Sequence, residues 1–394
     1  MTMVAPRRPL LAFLQDGAAR AVAFVFFANG FMFGNWAVRI PGVKSGLGLS
    51  DAELGFALLG YAVGGILAMP LGGALVARFG SRKVMLVSSL CYLFFFAFPG
   101  FAPGLLLLIL ALFLTGGANG AMDVSMNAHA DAIERAGGRA IMTACHAMFS
   151  LGLALGAVPA GFIAEAGIAP GPHLLAFGAV FTVPLLVIRN VFPRDGRTLG
   201  GGPHFALPRG PLLLFGALCF TAALAEGSMN DWATVYYRES LGAGPVATAA
   251  AFSVFGGAMF IGRLFGDDII GRLGSYRVAR SGMALAAIGF ALTLASADPA
   301  VGVLGLAAVG LGVSCIFPIV FRAAARLPGH APGPAMAAAV TLGYGGFLLG
   351  PVAIGLVAEA TALPVALWIV VAALAVGTVL AGSLREPRLP PGAG

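Results

Sequence analysis

Long apolar stretches dominate this chain, and short segments rich in charged residues, Gly and Pro separate them. Each stretch has about 20 residues or more, the length that a helix needs to cross a hydrocarbon core of ~30 Å. The pattern therefore predicts an all-α membrane protein with twelve transmembrane helices. We place them at residues 20–41, 53–77, 84–102, 104–129, 140–166, 173–192, 211–234, 246–270, 279–297, 300–322, 334–358 and 362–384.

The second half of the chain repeats the first at a spacing of 194 residues. The matched positions include Arg, Ser and Glu, which coincide by chance less readily than Gly in a chain with 58 glycines. A parallel repeat in an apolar chain is typical of transporters built from two membrane halves. We predict two pseudo-symmetric six-helix halves at 1–192 and 211–394, joined by a cytoplasmic linker at 193–210. The matched pairs include Arg78 and Arg272, Ser81 and Ser275, Gly152 and Gly346, Gly161 and Gly355, and Glu165 and Glu359.

Composition and charge agree with a membrane protein. The chain is 59% hydrophobic and 10% charged, where soluble domains carry about 25% charged residues. Of the 23 Lys and Arg residues, only Arg39, Lys44 and Arg238 fall on one side of the predicted bundle, and we assign all the others to the opposite helix ends. Because basic residues mark the cytoplasmic side, both termini are expected in the cytoplasm, with the protein in a bacterial inner membrane. Basic residues dispersed in this way argue against nucleic acid as a partner.

The segment between the second and third predicted helices carries a family resemblance. Residues 73–83, GALVARFGSRK, are similar to the G-x-L-A-D-R-x-G-R-R/K loop of the major facilitator superfamily, and a weaker copy runs from Gly266 to Arg277. The family aspartate is replaced by Ala77. The resemblance implies the major facilitator fold, alternating access and gating charges, although these arginines are equally explained as topology signals. The expected gating residues of this loop and its copy are Arg78, Arg82, Lys83, Asp267 and Arg272.

Within that superfamily the chain most resembles the fucose-permease-like sugar transporters and their uncharacterised relatives. Asn119, Asp123 and Asn127 recur at intervals of four, which draws a polar stripe down one face of the fourth helix. A carboxylate at this depth costs about 2.5–3.5 kcal/mol, so it should face a cavity or a partner. In the resembling permeases an acid of this helix serves solute binding and proton coupling, and Asp123 is the matching position. The alternative is a buried structural pair.

His146 lies at a depth similar to Asp123, in the fifth predicted helix. We expect it to pair with Asp123 or Asn127 and to take part in proton coupling, because an imidazole titrates near neutral pH. A satisfied core histidine is the competing explanation.

The first and seventh helices carry further polar and aromatic residues at related positions. Amides bond hydroxyl groups and indoles stack on apolar ring faces, so these helices predict a sugar-like site, with Glu226 as a second proton-coupling acid. Both tryptophans are equally explained as membrane-interface anchors. Arg39 is expected to pair with Asp231 or Glu226 across an outer gate. The expected solute-binding residues of the two helices are Asn29, Asn35, Trp36, Glu226, Asn230 and Trp232.

These observations favour a proton-coupled secondary transporter, a symporter, for a small polar solute such as a sugar or an organic acid. Efflux of amphipathic compounds or drugs is the alternative, although Pro159 of the fifth helix stands outside the glycine-proline signature of antiporters. We predict that the chain is not an enzyme, because H-E-x-x-H, G-x-S-x-G and phosphate-loop motifs do not occur in it. We expect a monomer in the lipid bilayer, without cofactor or metal.

Overall fold

The computed structural model describes residues 16–138, 140–193, 207–296 and 298–385, and this part of the chain is helical without strands. Twelve of its helices are long and apolar enough to cross a membrane, which confirms the predicted number. Most of the predicted linker, residues 194–206, lies outside the described residues. The helices are α1 (Gly17–Leu47), α2 (Asp51–Phe79), α3 (Ser81–Phe101), α4 (Leu105–Gly137), α5 (Met142–Glu165), α6 (Pro170–Ile188), α7 (Pro211–Ser240), α8 (Pro245–Leu273), α9 (Ser275–Ala295), α10 (Pro299–Ala325), α11 (Gly333–Ala360) and α12 (Leu363–Leu384).

The fourth helix is longer than its apolar stretch, ending at Gly137 where we predicted residue 129. Its polar extension carries an ion pair one turn apart, with Nη2 of Arg135 2.6 Å from Oδ2 of Asp131, a spacing that stabilises helices. Gly138 ends it with φ of 61°, and its N–H donates to the Glu134 carbonyl. Glycine enters this left-handed conformation without strain. The ion pair and the glycine at its end thus allow α4 to continue beyond its apolar stretch.

Helix α10 is interrupted near its middle. Its two helical segments, Pro299–Val313 and Ile316–Ala325, are separated at Ser314 and Cys315. Pro318 explains the break, because a proline has no N–H to donate to the carbonyl four residues earlier. The Ser314 and Cys315 side chains instead bond the carbonyls of Leu311 and Gly262. Transporters use discontinuous helices of this kind near their binding sites.

Glycines bring helices together inside each half, and the repeat predicted two of the positions. In the first half, a Cβ on Gly152 of α5 would collide with the carbonyl of Phe27 on α1. At the matched position in the second half, a Cβ on Gly346 of α11 would collide with the Phe220 carbonyl on α7. Such small residues allow membrane helices to approach at backbone distance. The two copies therefore make the same contact in the α1–α5 and α7–α11 pairs.

The two halves meet along two symmetry-related helix pairs, α2 with α11 and α5 with α8. Gly55 and Gly355 allow the close approach of α2 and α11, and Gly161 packs against Ala249 of α8. The Ser253 hydroxyl of α8 also donates to the Ala154 carbonyl at 2.7 Å. For the description below, the Lys44 end of the bundle is where α1 ends and α2 begins. The Arg78 end is where α2 ends and α3 begins.

Candidate functional site

A first polar cluster joins three helices of the N-terminal half. Nδ2 of Asn29 on α1 donates to Oδ1 of Asn119 on α4 at 2.9 Å. The hydroxyl of Tyr92 on α3 lies 3.0 Å from both oxygens of Asn29, its carbonyl and Oδ1. Asn29 is 2% exposed. The structure thus brings Asn29 and Asn119 together and uses Asn29 to hold α1, α3 and α4, with Tyr92 as a partner that sequence reasoning missed.

The second polar cluster contains Asp123, Asn127 and His146, as the sequence predicted. Nδ2 of Asn127 donates to Oδ1 of Asp123 at 3.1 Å, and Oδ1 of Asn127 lies 3.1 Å from Nε2 of His146. Because the Asn127 amide already donates to the carboxylate, its oxygen accepts, and Nε2 of His146 carries the proton. Phe26 packs edge-on against the imidazole. The three polar side chains form a directed hydrogen-bond chain from α5 to α4.

Arg263 of α8 links the two halves across their interface. Nη1 of Arg263 donates to Oγ of Ser150 on α5 at 2.6 Å, and Nη2 lies 3.3 Å from Oε1 of Glu226 on α7. Ser150 Oγ also lies within 3.3 Å of the His146 carbonyl, one turn earlier on α5. The Arg263 and Glu226 side chains are only 14% and 11% exposed. The second polar cluster, in the first half, and the Arg263–Glu226 ion pair, in the second half, therefore both bond to α5, at neighbouring turns of that helix.

Sequence reasoning missed Arg263 because it counted this residue among the basic residues at helix ends. The structure places it well inside α8, flanked by Gly262 and Leu264. An isolated arginine at such a depth is costly and needs a carboxylate or a water-filled cavity. The signal that predicts the pair is the presence of two opposite charges, Glu226 and Arg263, inside apolar helices of the same half. Neither residue alone indicates the other.

The expected pairing of Arg39 with Asp231 or Glu226 is not formed. The Arg39 guanidinium donates to the carbonyl of Ile168 in the α5–α6 connection. Glu226 is held by Arg263 instead. The reason is that α1 places Arg39 beside the α5–α6 connection of its own half.

Asn35 and Trp36 are also committed to the interior of the N-terminal half. Nδ2 of Asn35 donates to the Phe31 carbonyl, and its Oδ1 lies 2.8 Å from Nε2 of His173 on α6. Asn35 is 0% and Trp36 2% exposed, and the indole packs edge-on against Phe96. Both side chains pack here inside the N-terminal half, and their expected role in solute binding stays a prediction.

The polar residues at the Lys44-end portion of α7 retain unused bonding capacity. Asn230 and Asp231 are half-buried, and Asp231 makes no hydrogen bond or ion pair with any described residue. Oδ1 of Asn230 and Nε1 of Trp232 are buried and have no partner among the described residues. Tyr61 of α2 is near enough to interact electrostatically with both Asp231 and Asp123. Carboxylates from both halves thus lie within electrostatic range of one tyrosine.

At the Arg78 end, Asp267 contacts two other helices. It pairs with Arg322 of α10 and accepts a hydrogen bond at 3.3 Å from the hydroxyl of Thr143 on α5. We expected Arg272 to act in this gate, but its side chain is exposed. The cation of the contact is Arg322 of the neighbouring helix α10, which is 55 residues away from Asp267 in the sequence.

The basic loop after α2 is held by contacts within the N-terminal half. The Arg78 guanidinium lies 5.1 Å from the ring centroid of its neighbour Phe79. Nη2 of Arg82 donates to the Arg189 carbonyl at 2.7 Å, and Lys83 is exposed. The described contacts of Arg78 and Arg82 therefore lie within the N-terminal half.

The Lys44 end is closed by charged contacts between the halves. Nζ of Lys44 lies 2.6 Å from Oδ1 of Asp51 on α2 and 2.6 Å from Oε2 of Glu239 on α7. Oε2 of Glu359 on α11 accepts hydrogen bonds from the N–H groups of Asp51 and Ala52, at the start of α2. A carboxylate at a helix N-terminus is stabilised by the free N–H groups and the helix dipole.

A cavity opens between the halves toward the Arg78 end. It has a volume of about 250 Å³ and lies between α2 and α4 on one side and α10 and α11 on the other. Its wall includes Val124, the residue after Asp123, and the ring of Tyr344. Tyr344 is within electrostatic range of Asp123. The described residues contain no group of three or more His, Cys, Asp or Glu that could hold a metal ion. The lining residues are Met69, Val124, Phe321, Met336, Ala337, Val340 and Tyr344.

Two six-helix halves, closed at one end and parted by a cavity at the other, define a membrane transporter. The sequence model of the Major Facilitator Superfamily matches residues 22–351. The chain belongs to this superfamily, which confirms the predicted fold and a transporter rather than an enzyme. The closer resemblance to fucose-permease-like proteins stays a prediction.

Relatives of similar length support the assignment. An uncharacterized MFS-type transporter of Yersinia pestis is 35% identical over 355 residues, 90% of this chain and 92% of the relative. The uncharacterized transporter y4wD of Sinorhizobium fredii is 34% identical, covering 93% and 98% of the two chains. Membrane protein MosC of Rhizobium meliloti is 32% identical, covering 92% and 88%.

Solved structures agree on the fold. The nucleoside transporter NupG matches with a TM-score of 0.70 at 15% identity, covering 93% of this chain and 99% of NupG. A point mutant of NupG matches with a TM-score of 0.73 at 13% identity. The TM-scores support a shared fold, whereas identities this low give no information on the solute that this chain transports.

Proposed function

We propose that this protein is a secondary active transporter that moves a small polar solute by alternating access, coupled to protons. The observation that carries the proposal is the polar path from Asp123 through Asn127 and His146 to Ser150, Arg263 and Glu226. It crosses the interface that must rearrange when the halves rock. Buried ionisable groups in a membrane span are costly and are typical of solute and proton pathways.

The two acids of this path have different partners, which suggests different roles. Glu226 has its charge balanced by Arg263. Asp123 has only the neutral amide of Asn127 as a partner among the described residues. A carboxylate without a counter-ion resists a dry, closed cavity unless it gains a proton or a cationic partner. Asp123 is therefore the better proton-coupling site, with His146 and Asn127 orienting it, and Glu226 contributes to closure of the two halves.

The proposal includes an orientation and a conformation. With residues 1–192 and 211–394 as rigid halves joined by the 193–210 linker, both termini and the Arg78 end lie in the cytoplasm of a bacterial inner membrane. The charged contacts of Lys44 then close the outer side, and the cavity opens inward. Thr143 and Asp267 bring α5 and α8 together at the inner side. One monomer contains the whole pathway.

The solute class follows from the polar groups near the cavity. Tyr344 lines the cavity, and Asp123 precedes the lining residue Val124. A tyrosine hydroxyl and a carboxylate bind hydroxylated, ring-shaped solutes such as sugars and nucleosides, and NupG is named as a nucleoside transporter. An organic acid would need a cation, and among the described residues Arg263 near the cleft is already engaged by Glu226. A hydroxylated neutral solute fits better than an organic acid.

Export of amphipathic compounds is the second candidate function. It is favoured by the wall of the cavity, in which two methionines, a phenylalanine and several small aliphatic residues predominate. Methionine side chains adapt to ligands of different shapes. In this case Asp123 has a structural role.

Solute-induced proton flux in proteoliposomes separates the two functions. Sugars, nucleosides, small acids and amphipathic amines are tested on wild type, Asp123→Asn and Asp131→Asn. Asp131 is the matched control because it lies two turns further along α4 and pairs with Arg135 outside the cavity. We expect a hydroxylated solute to move protons in wild type and Asp131→Asn but not in Asp123→Asn. Flux driven only by amphipathic amines, unchanged in Asp123→Asn, would select export.

A further inference from the structure

Arg39 is a buried cation whose bonding is incomplete. The residue is 5% exposed, and its guanidinium donates to the Ile168 carbonyl through Nη2. Nε and Nη1 are buried without a hydrogen-bond partner in the described part of the chain. Arginine stays protonated in proteins, and an uncompensated buried charge carries a penalty of several kcal/mol. A side chain held in this way needs a further acceptor.

No carboxylate of the described residues supplies that acceptor. Glu226 is paired with Arg263, and Asp51 and Glu239 are paired with Lys44, the next cation along α1. Asp231 of α7 has no described partner, and it forms no ion pair with Arg39 either. The Ile168 carbonyl offers only a partial negative charge. The positive charge of Arg39 is therefore unbalanced within the described structure.

His173 lies beside this charge and also has a ring nitrogen without a described partner. It is 3% exposed, and its Nε2 lies 2.8 Å from Oδ1 of Asn35. The Asn35 amide donates to the Phe31 carbonyl, so its oxygen accepts and Nε2 of His173 is the donor. Nδ1 of His173 is buried without a partner among the described residues, and Arg39 is within electrostatic range of the imidazole. Asn35 and Arg39 stand one turn apart on α1, so the helix directs both at the start of α6.

We propose that Arg39 and His173 form a binding site for a small monovalent anion, with chloride as the simplest occupant. The anion accepts hydrogen bonds from the unused guanidinium nitrogens and, when the imidazole is protonated, from Nδ1 of His173. Charge-assisted bonds of this type are stronger than neutral ones. The site lies between α1 and the α5–α6 connection, inside one half. It stabilises the Lys44 end of α1 and is separate from the central cavity.

A bridging water is the competing occupant, and the chemistry distinguishes the two. A water accepts a hydrogen bond from Arg39 and donates one to the lone pair of neutral Nδ1. With water in the site, the stability of the folded protein does not depend on the anion in the buffer. An anion makes the stability of the folded protein depend on its concentration, because binding to the native state alone stabilises it by mass action.

The test is the Tm of the purified protein in detergent when gluconate is replaced by chloride at constant ionic strength. We expect a saturable rise of about 2–5 °C in wild type, and no rise in Arg39→Met, which keeps the length of the side chain and removes its charge. Arg238→Met is the control, because Arg238 is exposed at the same end and its described hydrogen bond is to the Ala243 carbonyl. It should respond as wild type does. A wild-type Tm that is independent of chloride overturns the proposal.

A second measurement needs only the wild type. Trp36 precedes Arg39 by three residues on α1, so iodide bound at this site is expected to quench its fluorescence with saturation, and chloride in excess is expected to reverse the quenching. Linear quenching that chloride does not reverse shows that iodide collides with exposed tryptophan, such as Trp368 at 44% exposure, and contradicts the anion site.

Discussion

Replacing Arg263 with methionine should leave the Glu226 carboxylate charged and unpaired at the interface of the two halves. Nη2 of Arg263 lies 3.3 Å from Oε1 of Glu226, and the side chains are only 14% and 11% exposed. Removing one member of a buried pair costs about 3–5 kcal/mol, because the remaining charge keeps its desolvation penalty. At about 2 °C per kcal/mol for a long chain, we expect the Tm to fall by roughly 6–10 °C.

The assay is thermal unfolding of the purified protein in detergent, followed by tryptophan fluorescence. Arg277→Met is the matched control, because Arg277 is exposed on α9 and its side chain makes no described ion pair. Adding Glu226→Gln to Arg263→Met removes the orphaned charge and is expected to recover more than half of the lost Tm. A single variant within about 1 °C of wild type, or a double variant whose loss is the sum of the two singles, would refute the buried-pair argument.

Two further predictions concern packing and the closed end. Gly156→Ala is expected to destabilise the protein by about 1–3 kcal/mol, because a Cβ there collides with the Phe31 carbonyl of α1. Gly257→Ala is the control and should be neutral, because a Cβ at Gly257 meets nothing within 4 Å. Equal Tm values for the two variants would contradict the close α1–α5 contact. Lys44→Met leaves Asp51 and Glu239 without their shared cation, so we expect the Lys44 end to open more often. The probe is Thr234→Cys, because Thr234 is buried where α7 contacts α1, and this cysteine is expected to react faster with a polar maleimide in the Lys44→Met background. An unchanged reaction rate would show that the helix packing alone keeps this end closed.

The fold was predictable because its signals are local or repeated. Twelve apolar stretches predicted twelve helices, and Gly161 and Gly355 occupy equivalent places at the interface of the halves. The repeated acids also have related positions: Glu359 bonds the first N–H groups of α2, and Glu165 lies beside Gly244 at the start of α8. A duplicated sequence preserves contacts that are the same in both halves.

The site was predictable only where its residues share a helix or a neighbouring one. The stripe of Asp123 and Asn127 is visible in the four-residue spacing, and His146 follows on the next helix. The pairing of Glu226 with Arg263 depends on how α7 crosses α8, and periodicity carries no information on that crossing. For the same reason the partner of Arg39 was mistaken.

The central claim is that Asp123 couples the movement of protons to that of the solute. The most direct measurement compares uphill accumulation with equilibrium exchange in proteoliposomes, using the solute that moves protons in the flux panel. We predict that Asp123→Asn exchanges this solute across the membrane but does not accumulate it under a pH gradient, whereas Asp131→Asn does both. Accumulation by Asp123→Asn to the wild-type level would contradict the account.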